Sequence, residues 1–355
     1  MPTSTSAIQR QWNFETSIIA LASSRKGDWV AVSLGDGSVR LLAAFDDTDN
    51  PKTLPLHQGI SLSLQPDTHE SGFLSGGDDG KIIAIDPEQG TTSLLAEHKN
   101  QWIDQVASSP DGAYRAYSLG KNIYMLNAKG EKHSGPLLCP SSIGGLAFSP
   151  NSKRLASSHY NGLSLWWTNA KENVPVKLEW KGSHLQTIWH PEGKIILTSL
   201  QESALHGWRL SDNNEMRMQG YAGKVHSMDF TAKGKYLVTS GAEQVICWPF
   251  FGGGPWGKSP LTLGGSDARL VTSVSAHPKD ELIAAGYDDG MIVLAPLDGR
   301  MEILIHPPVA EKGSSVVGLC WNGAGDCLFA ALENGYLMLF TIASVEKAVK
   351  IAAKG

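Results

Sequence analysis

The chain has 355 residues and 41% hydrophobic side chains, enough for a sizeable core, while charged residues are only 18% and glycines number 38, a balance that favours turns over solvated helices. A net charge of −5 and a sequence pI of about 6.1 exclude an overall cationic footprint, so neither nucleic acid nor an anionic membrane is expected as a partner. The opening MPTSTSAIQRQW has no basic segment followed by an apolar run, and no stretch approaches the roughly 18 apolar residues of a spanning helix, so an unexported, cytoplasmic protein is expected.

In chain order, residues 9–15 (QRQWNFE) read as a lone strand ahead of a repeating unit. That unit is clearest at residues 146–167, LAFSPNSKRLASSHYNGLSLWW: an alternating strand, a Ser-Pro-Asn turn, a second strand, an Asn161-Gly162 turn and a third strand ending in tryptophan. Three short strands cannot bury their own apolar faces, so copies must pack alongside. Eight copies can be laid on the chain, with second turns at Asp36-Gly37, Asp79-Gly80, Lys121-Asn122, Asn161-Gly162, Glu202-Ser203, Glu243-Gln244, Asp289-Gly290 and Asn334-Gly335, recurring every 39 to 46 residues. Such a period belongs to a four-stranded propeller blade. Outer strands are predicted at 52–56, 91–96, 135–138, 176–180, 215–219, 260–263 and 301–305. The eighth repeat has none and runs into residues 343–355, of helical composition with Val345, Val349 and Ala352 on one face. The N-terminal strand supplies the missing outer strand and closes the ring, removing both exposed sheet edges.

The expected fold is therefore all-β: a single closed β-propeller over residues 9–342 with eight four-stranded blades, seven being the alternative if the third or fifth repeat joins a neighbour, followed by a short C-terminal helix. Small residues, Ala20, Ser61, Gly145, Thr187, Ser227, Ser273 and Gly318, recur just before the second large apolar residue of the first strand, with Gln105 the exception. They are expected to face a crowded axis.

HKNQWIDQVASSPDG, IGGLAFSPNSKRLASSHYNGLSLWW, VTSVSAHPKDELIAAGYDDGMIVL and VVGLCWNGAGDCLFAALENGYLMLF resemble WD40 repeats. Trp166, Trp208 and Trp248 hold the terminal tryptophan position, but none precedes Asp and the Gly-His pair is missing, so the family's buried Asp-His-Ser-Trp network is not expected in any blade. The resemblance implies a non-catalytic scaffold whose loop face and channel mouth receive a protein partner. The chain also resembles stand-alone bacterial WD40 proteins, some of them associated with metal-chaperone GTPases, which implies the alternative of a metal- or small-molecule-binding propeller.

No nucleophile elbow, triad order or HExxH supports catalysis, and no cofactor is expected. Cys139, Cys247, Cys320 and Cys327 lack CxxC spacing and read as core thiols of a reducing compartment. His190 and His277 precede proline and read as turn residues; His184 and His226 are the better metal pair, though two ligands do not make a site. Asp46, Asp47, Asp49 and Asn50 lack the glycine and distal Glu of a Ca²⁺ loop. Phe250, Phe251 and Trp256, around a Gly252–Gly254 run, read as a lid on a blade edge. A monomer is expected, binding its partner through Trp102, His184 and Lys224, which precede first strands, with Tyr160, Tyr221, His226 and Arg269 on the same face. Trp, Tyr and Arg dominate interface energetics.

Overall fold

The alternating segments become antiparallel strands throughout the computed structural model, which describes residues 7–44, 50–170, 172, 174–265 and 269–346. The first repeat shows the rule: Ile18–Ser23, Trp29–Leu34, Ser38–Ala43 and Lys52–Pro55 pair in sequence order, each strand with the next. The turn at Asp36 is set by its own carboxylate, which accepts from the Ser38 N–H at 2.9 Å and hydroxyl at 2.6 Å, while Gly37 takes the positive φ of 80° that a side chain would strain.

Among the described residues the strands form seven sheets, six with four strands and one with six. The expectation of eight separate blades is thereby corrected to a seven-sheet propeller, the alternative count. The cause lies at the boundary of the fourth and fifth repeats. Strand Val176–Trp189 runs unbroken from an outer position, where Val176 pairs with Leu165, to an inner position, where Thr187 pairs with Thr198. A strand of 14 residues thus belongs to both repeats, and the sheet continues from Gly145–Phe148 to Asn214–Met218.

The ring closes between the termini. Ile8–Asn13 pairs antiparallel with Tyr336–Thr341, giving the last sheet its fourth strand. Residues 342–346 are helical, and buried Val345 packs against Ala7 and Phe340; the rest of the expected helix, with Val349 and Ala352, lies outside the described residues. No helix among the described residues is long and apolar enough to cross a membrane.

The core lies between consecutive repeats. Val30, Val32 and Leu34 of the first pack against Phe329, Ala331 and Leu339 of the last, and Leu163, Leu165 and Leu178 of the fourth pack against Trp189 and Ile196 of the fifth. Around the axis, first strands touch their neighbours, as Ile18–Ser23 does Val316–Trp321 on one side and Ser61–Pro66 on the other. A Cβ on Gly318 would come 2.8 Å from Leu21 Cβ, and one on Gly145 would meet Leu185 O at 2.8 Å. Smallness is demanded there by the neighbouring inner strand, which corrects the expectation that these residues simply face a channel. The small-residue position also shifts in two repeats: the partner pairings put Ser63 rather than Ser61 there in the second, and Gln186 rather than Thr187 in the fifth.

Candidate partner-binding face

The turns between second and third strands and the loops entering each first strand share one face of the ring. What holds this face is a series of buried polar bridges. In the second repeat His57 Nδ1 lies 2.9 Å from Asp79 Oδ1 and its Nε2 lies 2.9 Å from Ser75 Oγ, while Asp79 Oδ2 accepts the Gln58 N–H at 3.1 Å. This is three members of the Asp-His-Ser-Trp network that the sequence was not expected to assemble, and the expectation is corrected. Histidine enters from the loop before the first strand, 22 residues ahead of Asp79, so no local motif announces it. Burial works against ionisation of Asp79, yet the Gln58 N–H and His57 hold its carboxyl below the usual range.

Other repeats bridge the same gap with different chemistry. In the fourth, Trp166 Nε1 donates to Ser157 Oγ at 3.3 Å. In the fifth, His184 Nδ1 lies 2.6 Å from Thr198 Oγ1 and its Nε2 2.9 Å from Trp180 O. In the sixth, Trp248 Nε1 donates to Tyr221 Oη at 2.7 Å, and that hydroxyl is 2.8 Å from Thr239 Oγ1.

Two of the expected contact residues, His184 and Tyr221, are therefore buried struts, a correction to their placement at the surface. With both ring nitrogens occupied, His184 is no metal ligand, and its pairing with His226 falls with it. Among the described residues no three His, Cys, Asp or Glu side chains cluster as a metal site; Asp46, Asp47 and Asp49 lie outside them. The remaining five, Trp102, Tyr160, Lys224, His226 and Arg269, are exposed, Trp102 at 64%. Arg269 Nε stands 3.3 Å from Asp289 Oδ2, and the His226 carbonyl accepts Gln186 Nε2 at 2.8 Å. Three exposed aliphatic residues at the starts of first strands, Ile19, Ile60 and Val317, were not singled out by the sequence.

On the opposite face, His190 Nε2 lies 3.0 Å from Gly234 O and His277 Nε2 lies 2.7 Å from Gly325 O, so these turn histidines latch the fifth repeat to the sixth and the seventh to the eighth. Trp256 Nε1 donates to Glu215 O at 2.9 Å and Arg209 stacks on its ring at 4.6 Å, so the glycine-rich loop straps across to the fifth repeat. An axial cavity of about 510 Å³ is lined by Arg25, Gln105, Gly145, Leu146, Gln186 and Met228.

One buried group makes stability depend on acid. His206 is sandwiched between Trp180, stacked at 3.9 Å, and Trp208 at 4.6 Å, and neither ring nitrogen has a hydrogen-bond partner among the described residues. Burial, with lesser contributions from His184 and Arg217, pushes its pKa down from 6.5 to about 3. Between those values the unfolded chain binds the proton and the folded one does not, so stability falls as pH drops through this window. The loss at pH 5 is about 2 kcal/mol. His206→Phe, which keeps a ring against Trp180, should narrow the gap between melting temperatures at pH 7.5 and pH 5; an unchanged gap would show that His206 is not the sensitive group.

Residues 274–354 match the family model described as the anaphase-promoting complex subunit 4 WD40 domain. The chain is 23% identical over 154 residues to pre-mRNA-processing factor 19 of Oryza sativa subsp. japonica, a match covering 34% of this chain and 29% of that protein. It is 21% identical over 241 residues to cilia- and flagella-associated protein 52 of Chlamydomonas reinhardtii, covering 64% of this chain and 37% of that one. These matches span about a third of the length of the two curated relatives. Among solved structures, the crystal structure of the computationally designed Ika8 protein matches with a TM-score of 0.71 over 93% of this chain and 98% of that one, at 17% identity, a likeness of fold alone.

Proposed function

The chain is a WD40-repeat β-propeller, and on that premise we propose that it is a non-catalytic scaffold that receives a protein partner on the face carrying Trp102, Tyr160, Lys224, His226 and Arg269. WD40 propellers generally act as protein-interaction scaffolds. The observation that carries the reading for this chain is the contrast on one face between struts and free side chains: His184 and Tyr221 are spent on holding the repeats, while Trp102 is 64% exposed and Arg269 has only a half-exposed pairing with Asp289. An exposed tryptophan on a rigid frame offers a large contact area at little cost in side-chain entropy. The name of the matching family model, that of a complex subunit, agrees with a role in assembly.

The test is capture of a partner from an extract of the source organism by the immobilised chain. Trp102→Ala with Arg269→Ala should reduce capture at least about tenfold, as removal of two central contacts does, at a nearly unchanged melting temperature. Full capture by the double variant, or loss only when Trp256 on the opposite face is changed, would move the site across the ring. The second reading, a small ligand in the axial cavity, is favoured by the polar lining that Gln105 and Gln186 give it. A stoichiometric adduct in a native mass spectrum, with capture unaffected by the double variant, would put that reading first.

A further inference from the structure

Four inner strands, Val316–Trp321, Ile18–Ser23, Ser61–Pro66 and Val106–Ser108, stand side by side around the axis, each touching the next across the closed ring. Three of them carry a β-bulge at the same place: the pairing register slips between Val316 and Gly318, between Ile18 and Ala20, and between Ser61 and Ser63. A bulge leaves one residue outside the ladder and re-aims its side chain. The residues so released are Val317, Ile19 and Leu62. Asp104 holds the corresponding place in the third repeat, where the Gln105 carbonyl accepts from Ser118 N. Val317 is 38% exposed and Ile19 39%, and they are joined by Ile60 at 38% and by Trp102. A propeller has no structural need for large aliphatic side chains in water at its mouth, and their recurrence at one place on adjoining inner strands marks a contact surface.

The charges around the arc are net acidic. Glu333 and Asp36 are exposed at the turns of the last and first repeats, and Asp78 adjoins Ile60, whose N–H its Oδ1 accepts at 2.9 Å. Asp104 makes no hydrogen bond or ion pair among the described residues, and burial holds its pKa above the ordinary value of 3.8, so a cation beside it would relieve a desolvated carboxylate. The cations on the turns and lead-in loops of these repeats are Lys99, Lys121 and Lys312, all exposed, and Lys81, which lies 3.6 Å from Asp79; the acidic groups, which also include Glu15 and Glu311, outnumber them.

We propose that the arc formed by Val317, Ile19, Leu62, Ile60 and Trp102 docks an extended peptide segment of the partner in which a lysine or arginine, set against Asp104, is flanked by large aliphatic residues. The proposal rests on the scaffold reading and names the chemistry of what that face receives. Apolar contact supplies the affinity and the acidic rim fixes the polarity of the segment, since like charges would be excluded.

The test uses the full chain and three fluorescein-labelled octapeptides, alternating lysine with leucine, lysine with serine, and glutamate with leucine. The lysine-leucine peptide should bind, and the other two should bind at least about tenfold more weakly. Asp104→Asn and Ile19→Ser should each weaken the lysine-leucine peptide by a similar factor with an unchanged melting curve, and Trp256→Ala should not. Absence of binding, equal binding of the glutamate-leucine peptide, or binding that survives Asp104→Asn combined with Ile19→Ser would overturn the arc. If the arc fails but extract capture is still lost in the Trp102→Ala, Arg269→Ala chain, the scaffold face stands without it. Capture indifferent to that double variant removes the face itself.

Discussion

Deleting residues 1–13 should lower the melting temperature by about 10 °C or more and broaden the transition, because the N-terminal strand is what closes the ring. Ile8–Asn13 is the outermost strand of the last sheet, with Arg10 opposite Leu339 and Trp12 opposite Leu337. Ala7 lies in the cluster that contains Phe340 and Met338, and Trp12 and Phe14 pack against the cluster of Val30, Leu337 and Leu339 that joins the last repeat to the first. The clasp continues outside the ladder, where Phe14 N donates to Gly335 O at 3.1 Å and Ser344 Oγ to Ala7 O at 2.8 Å. Removing the strand takes away buried Ala7 and the half-buried Ile8 and Trp12, uncovers the core side chains they pack on, at about 1.5–3 kcal/mol for each large side chain fully exposed, and bares the edge Tyr336–Thr341 to other chains. Differential scanning calorimetry of the truncated chain measures the effect. A melting temperature within about 2 °C of the full chain would show that the remaining repeats hold the ring unaided. A synthetic peptide of residues 7–15, added in excess, should restore part of the loss by mass action.

The closure was legible in the sequence because it follows from counting: seven outer strands could be found downstream of their repeats, and the eighth was left to residues 9–15. The number of sheets was not, since nothing in EWKGSHLQ announces that Val176–Trp189 passes between repeats as one strand. Its Gly182 has a φ of 130°, a local bend within a continuous ladder rather than a break. The candidate face was half legible. Loop position and residue type selected Trp102 and Arg269, which are exposed, but selected His184 and Tyr221 equally, because a histidine or tyrosine that bridges Thr198 or Thr239 looks the same in sequence as one that meets a partner. Ile19 and Val317 were unreadable for a different reason. A bulge reverses which side of the strand a residue takes, and alternation read without the bulge assigns them to the core.

Asp67→Ala should cost about 3–5 kcal/mol, the largest loss expected from any single side chain outside the closure. Arg115 Nε and Nη2 donate to the two carboxylate oxygens of Asp67 at 2.6 and 2.7 Å, and Nη1 donates to Ala128 O at 2.7 Å; the side chains are only 7% and 3% exposed. The pair joins the second repeat to the third on the face opposite the candidate site. Arg25 extends the clamp to the first repeat, its Nε donating to Asp67 O at 2.6 Å and its Nη2 to Ser108 Oγ at 2.6 Å. Alanine at 67 leaves a buried guanidinium with no counter-charge, and that uncompensated charge, rather than the lost attraction, sets the size of the effect. Two further variants separate these contributions. Asp67→Leu with Arg115→Met, which removes both charges and keeps the volume, should recover most of the stability, whereas Arg25→Ala, at a half-buried site where water can replace the bonds, should cost only about 1–2 kcal/mol. Chemical denaturation midpoints for the four chains decide the matter. An Asp67→Ala loss below about 1 kcal/mol would mean that Arg115 finds another acceptor or reaches water, and that the first three repeats are held by apolar packing alone.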